Sequence, residues 1–209
     1  MTRPHRSCSA IRPATRAAAL IALLGTGLAL FAALPAAAQM SGREARREVA
    51  APRGPAVALA DLDFLDAATA RALEQYARQL PYYAAIAVSP GEPAANRVSP
   101  GAVNYHSPQA ASRAALATCN AQRTTGAACV IVAQTVPRGY EPGRLTMSIR
   151  ATEALRGDFR RLDAPKAFAI SPATGQFAFA RGDGARALAR CNAAAAEQGE
   201  RDCVVVVAD

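Results

Sequence analysis

The sequence predicts an α+β fold made of two tandem helix-strand-strand-helix-strand repeats that pack as one pseudo-twofold domain. This prediction depends on internal similarity between three pairs of segments. The pairs are 72–90 with 154–172, 113–121 with 185–193, and 129–133 with 203–207. Repeats of roughly 65–75 residues are marginal alone, so each is expected to complete its core against the other.

The first 38 residues have the features of a secretory signal. Residues 1–16 contain four arginines and no acid, and an uncharged apolar run follows from Ala17 to Leu34 before three alanines at 36–38. This order predicts cleavage after Ala38. The alternative is an uncleaved membrane anchor, because the run approaches the roughly 20 residues that span a bilayer. We expect cleavage, a periplasmic or secreted product, and no stable membrane insertion afterwards.

The mature chain carries only a small excess of positive charge. Four of the 24 basic residues and none of the 16 acidic residues lie in 1–38, which leaves a net charge of +4 for 39–209. This excess is too small to predict nucleic acid as a partner. Residues 39–60 are polar and arginine-rich and contain two prolines. We therefore expect a flexible basic leader before the folded part.

The first repeat, 61–135, is predicted to contain two helices and three strands. Asp66 is the expected N-cap of the first helix, which Pro81 ends. Ser107 and Pro108 supply the N-cap and the first turn of the second helix, which is expected to run to about Arg123. The strands are predicted at 82–88, 102–106 and 128–135.

The second repeat, 149–209, follows a connector at 136–148 and has the same order of elements. Its helices are predicted at 152–162 and from an Asp183 cap to Gly199, and its strands at 167–170, 176–180 and 203–208. The last strand contains four consecutive valines and shows no polar alternation. This pattern predicts a strand that is fully buried.

A loop at 89–101 distinguishes the first repeat from the second. Ser99-Pro100-Gly101 repeats Ser89-Pro90-Gly91, and this local duplication explains ten additional residues in the first repeat. Long surface loops often carry binding residues. We therefore predict a binding loop, with the candidate residues Pro90, Gly91, Asn96, Arg97, Ser99 and Gly101.

Four cysteines remain after removal of the signal: Cys119, Cys129, Cys191 and Cys203. An even number in an exported protein indicates disulfides, and the repeat predicts the pairs Cys119–Cys129 and Cys191–Cys203. The alternatives are unpaired buried thiols and a metal site. The nine and eleven intervening residues do not fit the close pairs of a tetrahedral thiolate site. We expect no metal and no cofactor.

Two short motifs, A-x-A-x-S-P and A-L-x-x-C, occur in both copies, and both copies approximate a third, G-x-x-C-V-V-V, as GAACVIV and GERDCVVV. The matching residues are Ala85, Ala87, Ser89, Pro90, Leu116, Cys119, Gly126 and Cys129, then Ala167, Ala169, Ser171, Pro172, Leu188, Cys191, Gly199 and Cys203. With these motifs, most of 72–209 resembles a group of uncharacterised exported bacterial domains of unknown function, in which such a module recurs singly or in tandem. The resemblance implies an exported, disulfide-bearing module and no particular catalytic residues.

Few side chains of the mature chain suggest catalysis. His106 is its single histidine and adjoins Ser107, so a hydrolase that uses these two residues is one hypothesis. Ala178 aligns with His106 in the second copy, so the fold does not require the imidazole. We therefore expect a surface histidine at 106 and predict no catalytic residue.

Acidic and aromatic clusters offer two further candidate sites. Three aspartates at 61, 63 and 66 resemble part of a calcium loop, but the glycine and the terminal glutamate of an EF-hand are missing. Four tyrosines could line a sugar or peptide groove by stacking: Tyr82, Tyr83, Tyr105 and Tyr140. Tyr105 aligns with Phe177, which instead predicts a core position for this ring.

Taken together, these features predict a non-enzymatic cell-envelope protein. Its expected partner is a protein or a cell-wall component, bound through the 89–101 loop and the cleft between the repeats. One alternative is an inhibitor or accessory subunit of a secreted enzyme, for which a disulfide-tied module is suited. The other alternative is the hydrolase that uses His106 or Ser107.

Overall fold

Two three-stranded antiparallel sheets, one from each half of the chain, organise the described residues. The computed structural model describes residues 39–50, 54–92, 101–124 and 126–209. They belong to one compact unit, Ala37–Asp209. The predicted signal at 1–38 lies outside the described residues. Within the described ranges, no helix is long and apolar enough to cross a membrane.

Among its described residues the first half has six helices and strands, of which the last four lie where the sequence predicts them and the first two lie in the predicted leader. In chain order they are α1 (Gly42–Glu48), β1 (Pro55–Leu59), α2 (Ala67–Ala77), β2 (Ala84–Val88), α3 (Pro108–Gln122) and β3 (Val130–Pro137). Asp66 caps α2 by accepting backbone N–H bonds from Ala68 and Thr69, at 2.9 and 2.8 Å. Ser107 caps α3, and Pro108 occupies its first turn.

Helices cover both faces of the first sheet, whose strand order is β1-β3-β2. On one face, Leu73 and Ala77 of α2 pack with Ile86. On the other face, Ala115 of α3 packs with Ala87. Because adjacent residues of β2 point to opposite faces and both faces are covered, the whole of β2 is buried.

The second half has the predicted order, with one division in its first helix. Its elements are α4 (Ile149–Arg156), α5 (Asp158–Arg161), β4 (Lys166–Ile170), β5 (Phe177–Arg181), α6 (Ala185–Ala196) and β6 (Val204–Ala208). Ser148 caps α4 by accepting the N–H of Ala151 at 3.2 Å. Gly157, with φ of −99° and ψ of −96°, separates α4 from α5, so the single helix predicted at 152–162 is in fact two.

The second sheet, in the order β5-β4-β6, is also covered on both faces. On one face, Phe168 of β4 contacts Phe159 edge to face, with ring centroids 5.5 Å apart. Ala45 of α1 and Leu155 of α4 belong to the same buried cluster. On the other face, Ala187 of α6 packs with alanines of the sheet. The molecule is therefore an α+β protein, as predicted.

The described part of 39–60 is ordered, so the predicted flexible leader is wrong for these residues. Ser41 and Glu44 form a capping box at the start of α1. The guanidinium of Arg156 donates to the carbonyl oxygens of Arg46 and Val49 at the end of α1, at 3.0 and 3.1 Å. β1 pairs with β3 along its whole length. α1 and β1 are thus integral parts of the fold.

Two strand predictions also need correction. The predicted strand at 102–106 is reduced to a bridge between Ala102 and Ala85 and a reciprocal pair between Tyr105 and Tyr83. Asn104 interrupts it, because its φ of 61° is incompatible with an extended chain. The strand predicted as fully buried, β6, has Val204 46% exposed, and the buried central strand is β4.

Several local features occur at matching places in the two halves. The register shifts at Ile86/Ala87 where β2 pairs with β3, and at Phe168/Ala169 where β4 pairs with β6. Asn120 accepts the N–H of Cys129, and Asn192 accepts the N–H of Cys203, both at 3.1 Å. The tandem repeat and the pseudo-twofold relation between the halves stay predictions.

The two predicted cysteine pairs are disulfide-bonded. Cys119 is bonded to Cys129 and Cys191 to Cys203, each with an S–S distance of 2.02 Å. The first bridge joins α3 to the residue before β3, and the second joins α6 to the residue before β6. The alternatives of free thiols and a thiolate metal site are therefore not adopted.

Candidate binding cleft

The two halves meet backbone to backbone at Asn104 and Gly175. A Cβ atom on Gly175 would lie 1.9 Å from the carbonyl oxygen of Asn104 and 2.9 Å from its carbonyl carbon. Only a glycine permits this approach, since real Cβ contacts are longer than 3.0 Å. The contact brings segment 101–105 of the first half beside segment 175–177 of the second.

A cleft with a volume of about 770 Å³ opens at this contact. Both halves contribute to its walls. Its lining residues are Pro81, Gly101, Ala102, Val103, Asn104, Tyr105 and Thr118 from the first half, and Ile149, Arg150, Gly175, Gln176, Phe177 and Gln198 from the second. Its size and its position between the two halves are typical of ligand sites.

A second cavity of about 520 Å³ continues the cleft along α3. The two share Tyr105, Thr118 and Gln198 as lining residues. Small side chains of α3 form much of its wall, and Arg113 and Glu200 lie on its sides. The two cavities therefore adjoin, and a ligand that extends along α3 would contact both.

Several polar side chains of the cleft are free to bind a ligand. Arg150, Gln176 and Gln198 have no side-chain hydrogen bond or ion pair with any described residue. Arg150 is exposed, and it is the sole charged residue among the described residues that line the 770 Å³ cleft. The cleft thus offers two amides, one positive charge and two aromatic rings, those of Tyr105 and Phe177.

His106 links the two halves beside the cleft through hydrogen bonds of both its ring nitrogens. Its Nε2 atom lies 2.9 Å from the carbonyl oxygen of Gln176, to which it donates, and its Nδ1 atom accepts the N–H of Ser148 at 3.0 Å. Burial lowers the pKa of His106 to about 4, although the Gln176 carbonyl and the charge of Asp202 oppose this shift. A neutral imidazole therefore connects the first half to two segments of the second.

The expectation of a surface histidine is wrong, because His106 is 2% exposed. Both of its ring nitrogens already have backbone partners. Ser107 uses its hydroxyl oxygen to accept the N–H of Ala110 at the start of α3. This arrangement argues against His106 as the base of a Ser-His hydrolase, because such a base must reach both the serine and the substrate.

Of the described residues of the predicted binding loop, Gly101 lines the cleft, whereas Pro90 and Gly91 do not. Pro90 and Gly91 form a turn that docks on the loop after α3, where the carbonyl oxygen of Pro90 accepts the N–H of Ala127 at 3.1 Å. Gly126 must be small there, because a Cβ would lie 2.7 Å from the same oxygen. Asn96, Arg97 and Ser99 lie outside the described residues, so their role stays a prediction.

Of the four tyrosines, Tyr105 alone lines the 770 Å³ cleft. It also packs against the core of the first half, so its ring is partly a core ring, as its alignment with Phe177 predicts. Tyr82 and Tyr83 are buried, and burial raises the pKa of both phenols. These two rings stabilise the core and do not form a stacking surface.

The described residues contain no group of three or more His, Cys, Asp or Glu side chains that could hold a metal ion. Asp66 of the acidic cluster is used as the cap of α2. Its backbone hydrogen bonds from α2 lower the pKa of this carboxyl.

No family model, curated protein or solved structure matches the chain. The cleft residues are therefore known only from their geometry. The sequence did not point to Asn104, Arg150, Gln176 and Gln198, because they become neighbours only in the folded chain. One signal was available: the repeat aligns Asn104 with Gln176, and equivalent residues of a pseudo-twofold pair approach each other near its axis.

Proposed function

We propose that this chain is a non-enzymatic binding module of the cell envelope and that its ligand occupies the cleft between the halves. The observation that carries the proposal is the cleft itself, with free amide and guanidinium groups contributed by two halves that one buried histidine joins. Together with the cavity that adjoins it along α3, the cleft has room for a segment of a protein or of a cell-wall polymer.

The two disulfides favour a location of the protein outside the cytoplasm. Cys119–Cys129 and Cys191–Cys203 bond cysteines only 10 and 12 positions apart in sequence. Such bonds persist in oxidising compartments and are rare in the cytosol. Together with the signal-like N-terminus, they favour a periplasmic or secreted protein. The inhibitor or accessory-subunit alternative stays a prediction, since no described feature favours it.

A cleft-blocking variant tests the proposal. Thr118 is exposed on α3 and lines both cavities, so Thr118→Trp should fill the cleft without disturbing the core. Ala189→Trp, at an exposed position of α6 outside both cavities, is the matched control. The probes are isolated cell-wall polymer, read by co-sedimentation, and detergent-free envelope extract, read by mass spectrometry of the retained proteins.

Oxidised protein 39–209 and Ala189→Trp should retain the same partner, and Thr118→Trp should retain at least tenfold less. Equal retention by Thr118→Trp would place the binding surface elsewhere. No retention of either probe by the unmodified protein would contradict a binding module of the envelope.

A further inference from the structure

The outer edge of β5 carries backbone groups with no described partner. The N–H of Ser171 donates to the carbonyl oxygen of Gln176 at 3.0 Å, and the N–H of Gly182 donates to the carbonyl oxygen of Pro165 at 2.7 Å. In an antiparallel pair, hydrogen-bonded residues alternate with outward-facing ones. The backbone N–H and C=O groups of Phe177, Phe179 and Arg181 therefore point away from β4.

The other sheet edges are covered or less suitable. Met40 pairs with the outer edge of β6, and residues 102–105 lie along β2. The outer edge of β1 begins with Pro55, which has no N–H to donate. β5 differs from all of these, because Phe177 lines the cleft and the free edge of the strand starts there.

The charge at this end of the edge is positive and unpaired. Arg150 lines the same cleft as Phe177, and no described acidic side chain pairs with it. At the far end, Arg181 is 61% exposed and lies 3.6 Å from Asp163, which is itself exposed. A ligand with a carboxylate at the cleft end would complement Arg150, while the Arg181–Asp163 pair contributes little to stability.

We infer that the ligand is an extended peptide that adds to β5 as a further antiparallel strand, with its C-terminal carboxylate beside Arg150. This inference rests on the proposed function and narrows its ligand class. Strand addition supplies backbone hydrogen bonds independent of sequence, and pockets for alternate side chains supply selectivity. A glycan would use the amides and rings of the cleft, but it lacks the regular alternation of N–H and C=O groups that matches the outward backbone groups of Phe177, Phe179 and Arg181.

A pair of substitutions at one position separates the backbone from the side chain. Arg181→Pro removes the outward N–H, and proline is tolerated at such edge positions because that N–H is not part of the sheet. Arg181→Ala removes the same side chain and keeps the N–H. The probe is the tightest binder from a synthetic library of seven-residue peptides with free carboxyl termini, measured by fluorescence polarisation against oxidised protein 39–209.

Arg181→Pro should weaken binding of this peptide about tenfold, and Arg181→Ala less than twofold. Amidation of the peptide's C-terminus should weaken binding to the unmodified protein about tenfold. For the Arg150→Ala variant, the amidated peptide and the peptide with a free carboxyl terminus should bind equally well. N-methylation of the peptide residues whose N–H groups face β5 should abolish binding. N-methylation of the alternate residues, whose N–H groups face away from β5, should not. This last measurement needs no protein variant, so it decides the matter even where Arg181→Pro unfolds.

Equal affinities of the Pro and Ala variants, together with indifference to N-methylation, would overturn strand addition. So would a library with no binder. If the unmodified protein then still retains cell-wall glycan and the Thr118→Trp variant retains much less, the proposed function holds and the ligand is a glycan. If nothing is retained, both proposals fail.

Discussion

The carbonyl oxygen of Asn104 occupies the place that a side chain on Gly175 would need, at 1.9 Å from the position of its Cβ. Around this contact the two halves form one continuous structure. Asn104 also accepts the N–H of Arg150 at the start of α4, at 3.4 Å. One asparagine therefore sets both the spacing of the halves and the position of the cleft arginine.

Gly175→Ala should separate the halves at this contact. Because the added methyl group meets backbone and not a flexible side chain, we expect a loss of about 3 kcal/mol in the free energy of unfolding, the upper part of the usual range for overpacking. Urea unfolding followed by circular dichroism measures this loss. Binding to the cleft should also weaken.

Gly182→Ala is the control for backbone strain alone. Gly182 has a φ of +111°, but a methyl group added there would meet no neighbouring atom within 4 Å. We expect it to cost about 1 kcal/mol and to leave binding unchanged. Since Gly175 has no positive φ, a loss well below 1 kcal/mol in Gly175→Ala would show that the close contact with Asn104 does not set the spacing of the halves.

Stability should depend on pH through His106. Its pKa is lowered to about 4 in the folded protein against 6.5 in an exposed chain. Below pH 6.5 the unfolded chain binds a proton that the folded chain does not, so the free energy of unfolding should fall as the pH drops from about 6.5 to 4. The total loss from this group is about 3 kcal/mol.

His106→Gln isolates this contribution, because carboxylates titrate in part of the same pH range in both proteins. The variant should lose stability at pH 8, where two backbone partners of the imidazole are disturbed, and should show a flatter pH dependence between about 6.5 and 4. In residues 39–209 His106 is the single histidine, so its NMR signal reports the pKa directly. A midpoint near 6.5 would contradict the buried, neutral imidazole.

The sequence predicted best what local chemistry determines. The caps at Asp66 and Ser107 are recognised from a residue type and its neighbours, and both are present. The same logic could have found α1, since Ser41 and Glu44 have the spacing of a capping box. The high arginine content of 39–60 is nevertheless typical of a flexible leader. What stabilises α1 is tertiary, namely Arg156 at its C-terminal end.

The cleft could not be predicted because it depends on contacts between distant segments. Gln176 and Asn104 are 72 positions apart, and the path of the chain that joins them depends on the packing of two sheets. The prediction that β6 is fully buried was wrong for a related reason. Four consecutive valines indicate an apolar strand, but they do not indicate its place in the sheet. The central strand is β4, so β6 is left at the side.

The two disulfides should contribute similarly to stability, because they close loops of similar length. Replacing Cys119 and Cys129 together by alanine, or Cys191 and Cys203 together, should lower the free energy of unfolding by about 2–3 kcal/mol in each case. Urea unfolding of the two double variants measures both losses. Detection of free thiols by a thiol reagent in denatured, unreduced protein would contradict the pairing.

Asp202 fixes the Ser171 turn that leads into the cleft. Its carboxylate accepts the hydroxyl of Ser171 and, at 2.7 Å, the N–H of Ala173. Without it, both donors lose their partner in a partly buried site, and hydrogen bonds to a charged group are among the stronger ones. Asp202→Ala should therefore lower the free energy of unfolding by about 2 kcal/mol and loosen the turn before Gly175.

Asp163→Ala is the matched control, because it removes the same side chain from an 81% exposed position, where its ion pair among the described residues is with Arg181, at 3.6 Å. This variant should change stability by less than about 0.5 kcal/mol. Amide hydrogen exchange distinguishes a local effect from a global one: in Asp202→Ala, protection should fall most at residues 173–176. Uniform loss across both sheets, or no loss at these amides, would show that the carboxylate does not hold the turn that forms one wall of the cleft.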